Sequence, residues 1–174
     1  MDLQFNVAQL LREPIGGFRL YEGEMTFESE EFEVRSPLVV SVKLLNTGRS
    51  ILVEGVFHLT VELVCSRCLT PFWQPLDFSV EEEFLPTVPV GGMTHVTAVE
   101  EGADEDLFID AHQILHLEEI VRQYSLLSIP VHPLCRPDCK GLCPICGQNL
   151  NEGTCNCREE EVDPRWAVLM DLSK

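Results

Sequence analysis

Residues 135–157 read CRPDCKGLCPICGQNLNEGTCNC and contain six of the chain's eight cysteines, spaced C-x3-C-x3-C-x2-C-x8-C-x-C. The other two, Cys65 and Cys68, form a C-S-R-C pair far upstream. The eight sort into four close pairs: Cys65/Cys68, Cys135/Cys139, Cys143/Cys146 and Cys155/Cys157. A tetrahedral zinc site takes four thiolates, and two short-spaced pairs usually supply them. Cys143-Pro144-Ile145-Cys146-Gly147 has the form of a zinc knuckle, whose glycine permits the tight turn that brings both sulfurs to one metal. The pattern predicts up to two Zn2+ ions.

Three pairings of the four pairs are possible. The favoured one gives one zinc to Cys65, Cys68, Cys135 and Cys139, and the other to Cys143, Cys146, Cys155 and Cys157. The second set can close by itself as a small ribbon. The first would staple the C-terminal module to the upstream part of the chain. Zinc in such peptides contributes about 10–16 kcal/mol of apparent binding free energy, which becomes folding free energy. That rivals the whole stability of a typical domain, about 5–15 kcal/mol. Sites closed by four thiolates leave no open coordination position, which argues against zinc-dependent hydrolysis. Nor does the sequence offer a serine-histidine-acid set, a phosphate loop or a paired-carboxylate site with supporting context.

Upstream of this block the pattern is mostly that of strands. Residues 3–12 place Phe5, Val7, Leu10 and Leu11 near helical spacing, with Asn6 as a cap and Pro14, Gly16 and Gly17 as a stop. From Phe18 onward short strands are expected. Leu38 to Leu45 reads as a buried strand, and Asn46-Thr47-Gly48-Arg49 as a hairpin turn. Phe57, Leu59, Val61 and Leu63 then alternate with His58, Thr60 and Glu62, giving a strand with one wet face that runs into Cys65. Leu76, Phe78 and Val80 alternate likewise. Residues 86–106 form a loop with an acidic tip. Leu107–Ile109 suggests a short strand. Asp110 with Gln113 fits a capping box, and Ile114, Leu117, Ile120, Val121, Tyr124 and Leu127 predict a long helix near 111–128, ended by Pro130. A last short helix should start at Asp163-Pro164 and carry Trp166, Leu169, Met170 and Leu172. His58, His112 and His116 read as surface residues rather than ligands, and Tyr124 as core.

The expected fold class is α+β: an antiparallel β sandwich or partly open barrel with a long helix and a C-terminal zinc-ribbon-like module. Residues 1–130 would form the β-rich domain, and 131–174 the Cys-rich module with its helix.

With 174 residues, 45% of them hydrophobic, the chain can bury a real core. No run of 18 apolar residues occurs, so no membrane association is expected, and the first residues do not read as a secretory signal. A cytoplasmic, reducing location follows as an expectation, and there metal binding is favoured over disulfides. The net charge is −17, from 12 Lys and Arg against 29 Asp and Glu. Such a surface repels phosphate and suits a basic partner, or serves solubility. Three of the scarce cations, Arg67, Arg136 and Lys140, lie inside or beside the ligands of the first proposed zinc. They offset the charge of a four-thiolate site, or form a local basic spot able to touch RNA.

Three stretches resemble the YceD-like family, the large ribosomal RNA subunit accumulation proteins of bacteria and plastids. They are L-V-C-S-R-C-L at 63–69 with Thr70-Pro71-Phe72 after it, the strand and helix of 107–129 closed by Pro130, and the block 135–157 followed by Asp163-Pro164-Arg165. The resemblance covers nearly all of the chain except the acidic loop. It implies a part in the synthesis, processing or stability of large-subunit (23S) ribosomal RNA. The family's genes often neighbour one for a small basic zinc-bearing protein of the large subunit. Some members lack the GLCPICG part, which implies that Cys65 and Cys68 belong to the more general site. Together these readings predict a non-enzymatic factor in large-subunit assembly. It would bind a basic ribosomal protein, a pre-ribosomal particle or rRNA, and take no small-molecule substrate. The competing expectation is a zinc-thiolate redox sensor or chaperone.

Overall fold

The computed structural model describes residues 3–35, 37–88 and 105–157. The expected helix at 163–172 and nearly all of the acidic loop lie outside these residues. The described chain runs through β1 (Gln4–Asn6), a 3-10 turn (Leu10–Arg12), β2 (Phe18–Met25), β3 (Leu38–Asn46), β4 (Ile51–Val64) and β5 (Pro71–Pro86). It continues through a second 3-10 turn (Glu105–Leu107), β6 (Phe108–Ile109), β7 (Ile114–His116) and α1 (Glu118–Ser128).

The main sheet has strand order β2-β3-β4-β5-β6, antiparallel except for the β5–β6 pair, which is parallel. Its backbone is the long β4–β5 ladder, in register from Ile51↔Phe84 to Val64↔Pro71. The alternation read in the sequence gives this sheet one packed face. Val40, Val42, Val53, Phe57, Val61 and Val80 are at most 2% exposed, while their neighbours along each strand face outward. Phe57 and Phe78 stack across the β4–β5 pair with centroids 5.4 Å apart. Gly55 makes room for this: a Cβ there would come within 2.6 Å of the Phe57 ring.

The hairpin between β3 and β4 falls where the turn residues predicted, with Asn46 opposite Ile51. Asn46 is 2% exposed, yet its amide is fully used. Nδ2 donates to the carbonyls of Leu10 (2.9 Å) and Glu13 (3.0 Å), and Oδ1 accepts from Gly48 N–H (2.8 Å). A buried amide satisfied this way ties the N-terminal segment to the hairpin without the cost of an unpaired polar group.

Two expectations of helix are corrected. Residues 3–12 form β1 and a single 3-10 turn rather than a helix, because Phe5 pairs with Leu115 of β7 in a separate two-stranded ribbon. Asn6 still accepts a hydrogen bond from Ala8 N–H (3.0 Å), but in a turn. The helix near 111–128 begins only at Glu118 and spans 11 residues. Asp110 does not cap it. Its Oδ1 accepts from the N–H groups of His112 and Ile114 (both 2.8 Å), closing a turn with Gln113 at φ 62° before β7 starts. The described strands thus form one five-stranded sheet and one two-stranded ribbon. The helix buries Ile120, Val121 and Ser125, and Tyr124 donates its hydroxyl to Glu82 of β5 at 2.6 Å.

Candidate metal centres

β4 ends at Val64 and β5 begins at Pro71, so the C-S-R-C pair sits in the turn that joins the two longest strands. Cys65 N–H donates to Thr70 O (3.0 Å), and Leu69 N–H to Cys65 O (2.9 Å). Leu69 takes a left-handed φ of 57° to close the turn. Pro133, just after the helix, accepts a hydrogen bond from Ser66 N–H at 2.8 Å and so delivers Cys135 and Cys139 to the same place. Cys65 Sγ lies 3.8 Å from Cys139 Sγ, and Cys68 Sγ 3.7 Å from Cys135 Sγ. A disulfide would require about 2.05 Å. A tetrahedron of sulfurs each about 2.3 Å from a central zinc has edges of about 3.8 Å. Cys65, Cys68 and Cys139 are buried and Cys135 half-buried.

Cys143, Cys146, Cys155 and Cys157 form a second group, and within each group all sulfurs lie within 4.8 Å of one another. Here the knuckle closes as its glycine permits. Gly147, at φ 73°, donates to Cys143 O (2.9 Å), Cys143 N–H donates to Gln148 O (2.8 Å), and Ile145 N–H points at Cys143 Sγ (3.4 Å). Cys143 is buried, while Cys146 and Cys157 are exposed.

Each group polarises its thiols in opposite directions. The backbone N–H of Cys135 and others in the turn pull Cys65 down to about 6, and the Thr70 hydroxyl lowers Cys68. Burial, with the neighbouring sulfurs, pushes Cys135 up to about 12. In the second group the N–H groups of Cys146 and Ile145 bring Cys143 down to about 6, and the hydrogen bond with Cys146 pushes Cys157 up to about 12. Four sulfurs this close cannot all carry charge unless a cation sits among them. Soft, all-sulfur donor sets at these separations fit metal ions and are compatible with zinc. Among the described residues, no histidine or carboxylate joins either group. His58 pairs instead with Asp77 (2.6 Å), and His116 with Asp110 (3.4 Å).

The three cations are placed as follows. Arg67 Nη1 donates to Cys139 O at 2.9 Å. Arg136 reaches Asn151 Oδ1 (2.6 Å) through Nη2 and Asp138 (3.6 Å) through Nε. Lys140 is fixed by its backbone N–H, which donates to Asn151 Oδ1 at 2.9 Å. No side-chain donor from these three reaches a sulfur. That role falls to Asn151, whose Nδ2 donates to Cys139 Sγ (3.3 Å), and sequence reasoning missed it. Asn149 supports it by accepting from Asn151 Nδ2 at 2.8 Å. The two groups are also joined through the backbone: Leu142 N–H donates to Arg67 O (3.2 Å) and Leu150 N–H to Gly141 O (2.9 Å). Among the described residues no helix is long and apolar enough to cross a membrane.

Comparison with known proteins finds relatives over most of the chain. An uncharacterized Mycobacterium tuberculosis protein, Rv2926c, is 29% identical over 173 residues, covering 96% of this chain and 79% of that protein. The Arabidopsis thaliana chloroplastic large ribosomal RNA subunit accumulation protein YCED homolog 1 is 27% identical over 168 residues, covering 85% of this chain and 52% of the plant protein. Bacillus subtilis YlbN, also uncharacterized, is 24% identical over 177 residues, covering 99% of this chain and 97% of its own. No solved structure gives a significant match. The model of the family described as large ribosomal RNA subunit accumulation protein YceD matches residues 53–173, a span that contains all eight cysteines. The chain therefore belongs to the YceD family.

Proposed function

We propose that this protein is a non-enzymatic, cytoplasmic factor in assembly of the large ribosomal subunit. It supports the synthesis, processing or stability of 23S rRNA by binding a basic ribosomal protein or a pre-ribosomal particle. The observation that carries this reading is the family match across residues 53–173. Relatives in that family are named for accumulation of large-subunit rRNA. Two zinc ions, one in each cysteine group, are part of the proposal. With four thiolates each they have no open position for substrate, so their work is structural. The first would hold the segment that follows the helix, Pro133 to Cys143, against the turn between β4 and β5.

Direct binding to naked rRNA is the less favoured route. Arg67 and Arg136 are already engaged within the site, and the chain carries a net charge of −17. The test is sedimentation of cell extracts under reducing conditions. Co-migration with precursors of the 50S subunit supports the role, and a protein found wholly at the top of the gradient contradicts it. A second reading, a zinc-thiolate redox sensor or chaperone, draws on the exposure of Cys146 and Cys157. Zinc release and gain of chaperone activity on oxidation would favour it.

A further inference from the structure

Among the described residues the sheet of β2 to β5 is packed on one side only, and its outward side mixes carboxylates with exposed apolar side chains. Outward residues fall in rows across the four strands. One row is Leu20, Lys43, Glu54 and Glu81; another is Glu24, Val39, His58 and Asp77. Lys43 is the one lysine or arginine among the outward positions of these strands, and Glu54 already holds it at 2.5 Å. Glu54 also stands directly opposite Glu81 on the neighbouring strand. The carboxylates of Glu22, Glu24 and Glu81 have no hydrogen-bond or ion-pair partner among the described residues.

Large apolar side chains are interleaved with these charges. Leu20 is 62% exposed, and Val39 and Val56 are each 45% exposed. A shallow depression of 290 Å³ lies between Leu20, Lys43, Glu54, Val56 and Glu81. Solubility calls for the carboxylates but not for bare leucine and valine between them. A binding face needs both: unpaired charge to attract and orient a partner, and apolar area to bury on contact.

We propose that the outward face of β2–β5 is a docking surface for a lysine- and arginine-rich polypeptide segment. Charge complementarity selects this occupant. Phosphate would be repelled by the unpaired carboxylates, and an acidic protein likewise. The proposal rests on the assembly role above and deepens it by giving the face and the chemistry of the partner.

The test uses the purified full chain, reduced and metal-loaded, with a synthetic peptide repeating Lys-Val-Arg-Leu as probe. Affinity is measured by fluorescence anisotropy across a salt series. The unchanged protein should bind the peptide, and more weakly as salt rises. Glu22→Lys/Glu81→Lys should lose roughly 10-fold or more in affinity, and Glu22→Gln/Glu81→Gln an intermediate amount. Glu30→Lys/Glu118→Lys changes the net charge equally but away from this face, and should stay within about 2-fold. Equal losses in the two Lys variants would reduce the effect to net charge and overturn the proposal. So would absence of peptide binding, or preferential binding of a single-stranded RNA oligonucleotide. Because purified protein and peptide suffice, failure here is distinct from failure to sediment with 50S precursors, which would strike the assembly role itself.

Discussion

Asn151 Nδ2 donates a 3.3 Å hydrogen bond to Cys139 Sγ. Asn151 lies in the stretch between Cys146 and Cys155, inside the second cysteine group, whereas Cys139 belongs to the first. One side chain from the loop of one site therefore touches a sulfur of the other. Its Oδ1 accepts from Lys140 N–H and Arg136 as well, so the same amide also fixes the backbone just after Cys139.

Asn151→Ala should loosen the first site without touching its ligands. Removing outer-shell partners typically costs about 10–100-fold in metal affinity. Chelator competition should show faster zinc release from one of two ions. Asn151→Asp keeps the acceptor and removes the N–H donor to sulfur, so it should retain the Lys140 contact and still release metal faster than the unchanged protein.

Elemental analysis of reduced protein should give two zinc per chain. Cys143→Ser should lose one zinc and leave the sheet folded. Cys65→Ser should lose the other and deprotect amides near 133–142 in hydrogen exchange. Loss of both ions in each variant would contradict the grouping seen here.

Gly141 has φ +75°, and a Cβ on it would stand 3.2 Å from Arg67 O, at the seam between the two sites. Gly141→Ala should cost about 1–2 kcal/mol from the left-handed backbone alone. Thermal unfolding of the metal-loaded protein measures this, and an unchanged midpoint would contradict it.

Much of the sheet could be read before the structure was known, and the reasons are local. β4 alternates over enough residues for period two to be plain, and Asn46-Thr47-Gly48-Arg49 supplies the turn residues. The four close pairs of cysteines followed from short spacing, which favoured one of three groupings, and the structure brings that grouping together. What failed was short or non-local. Ile114–His116 is a three-residue strand whose partner, β1, lies more than a hundred positions away, so its apolar residues merged into the helical pattern that follows. Asp110 and Gln113 have the right types and spacing for a capping box, and only the pairing of β7 shows that they close a turn instead. The parallel contact of β6 with the end of β5 involves two residues, too few to leave a signature. Asn151 was invisible because a polar residue in an N-L-N turn has many uses, and nothing local reveals that it reaches a sulfur of the other site.

Glu119 is held down at about 2, chiefly by its hydrogen bond with Arg122. A carboxylate lowered on folding stabilises above its ordinary value near 4.5, and that contribution disappears as pH falls towards 2. The side chains are 31% and 36% exposed, so the effect is small. Glu119→Gln should melt slightly below the unchanged protein at neutral pH, and the gap should close between about pH 4.5 and pH 2. Acid loss of any bound metal would be common to both proteins, so the difference isolates the pair. A gap that stays constant with pH would contradict the assignment.

The assembly role is tested most directly by the ratio of 23S to 16S rRNA in cells depleted of this protein. The ratio should fall, with 23S precursors or fragments building up, and re-expression of the unchanged chain should restore it. A ratio that stays constant through depletion would contradict the account.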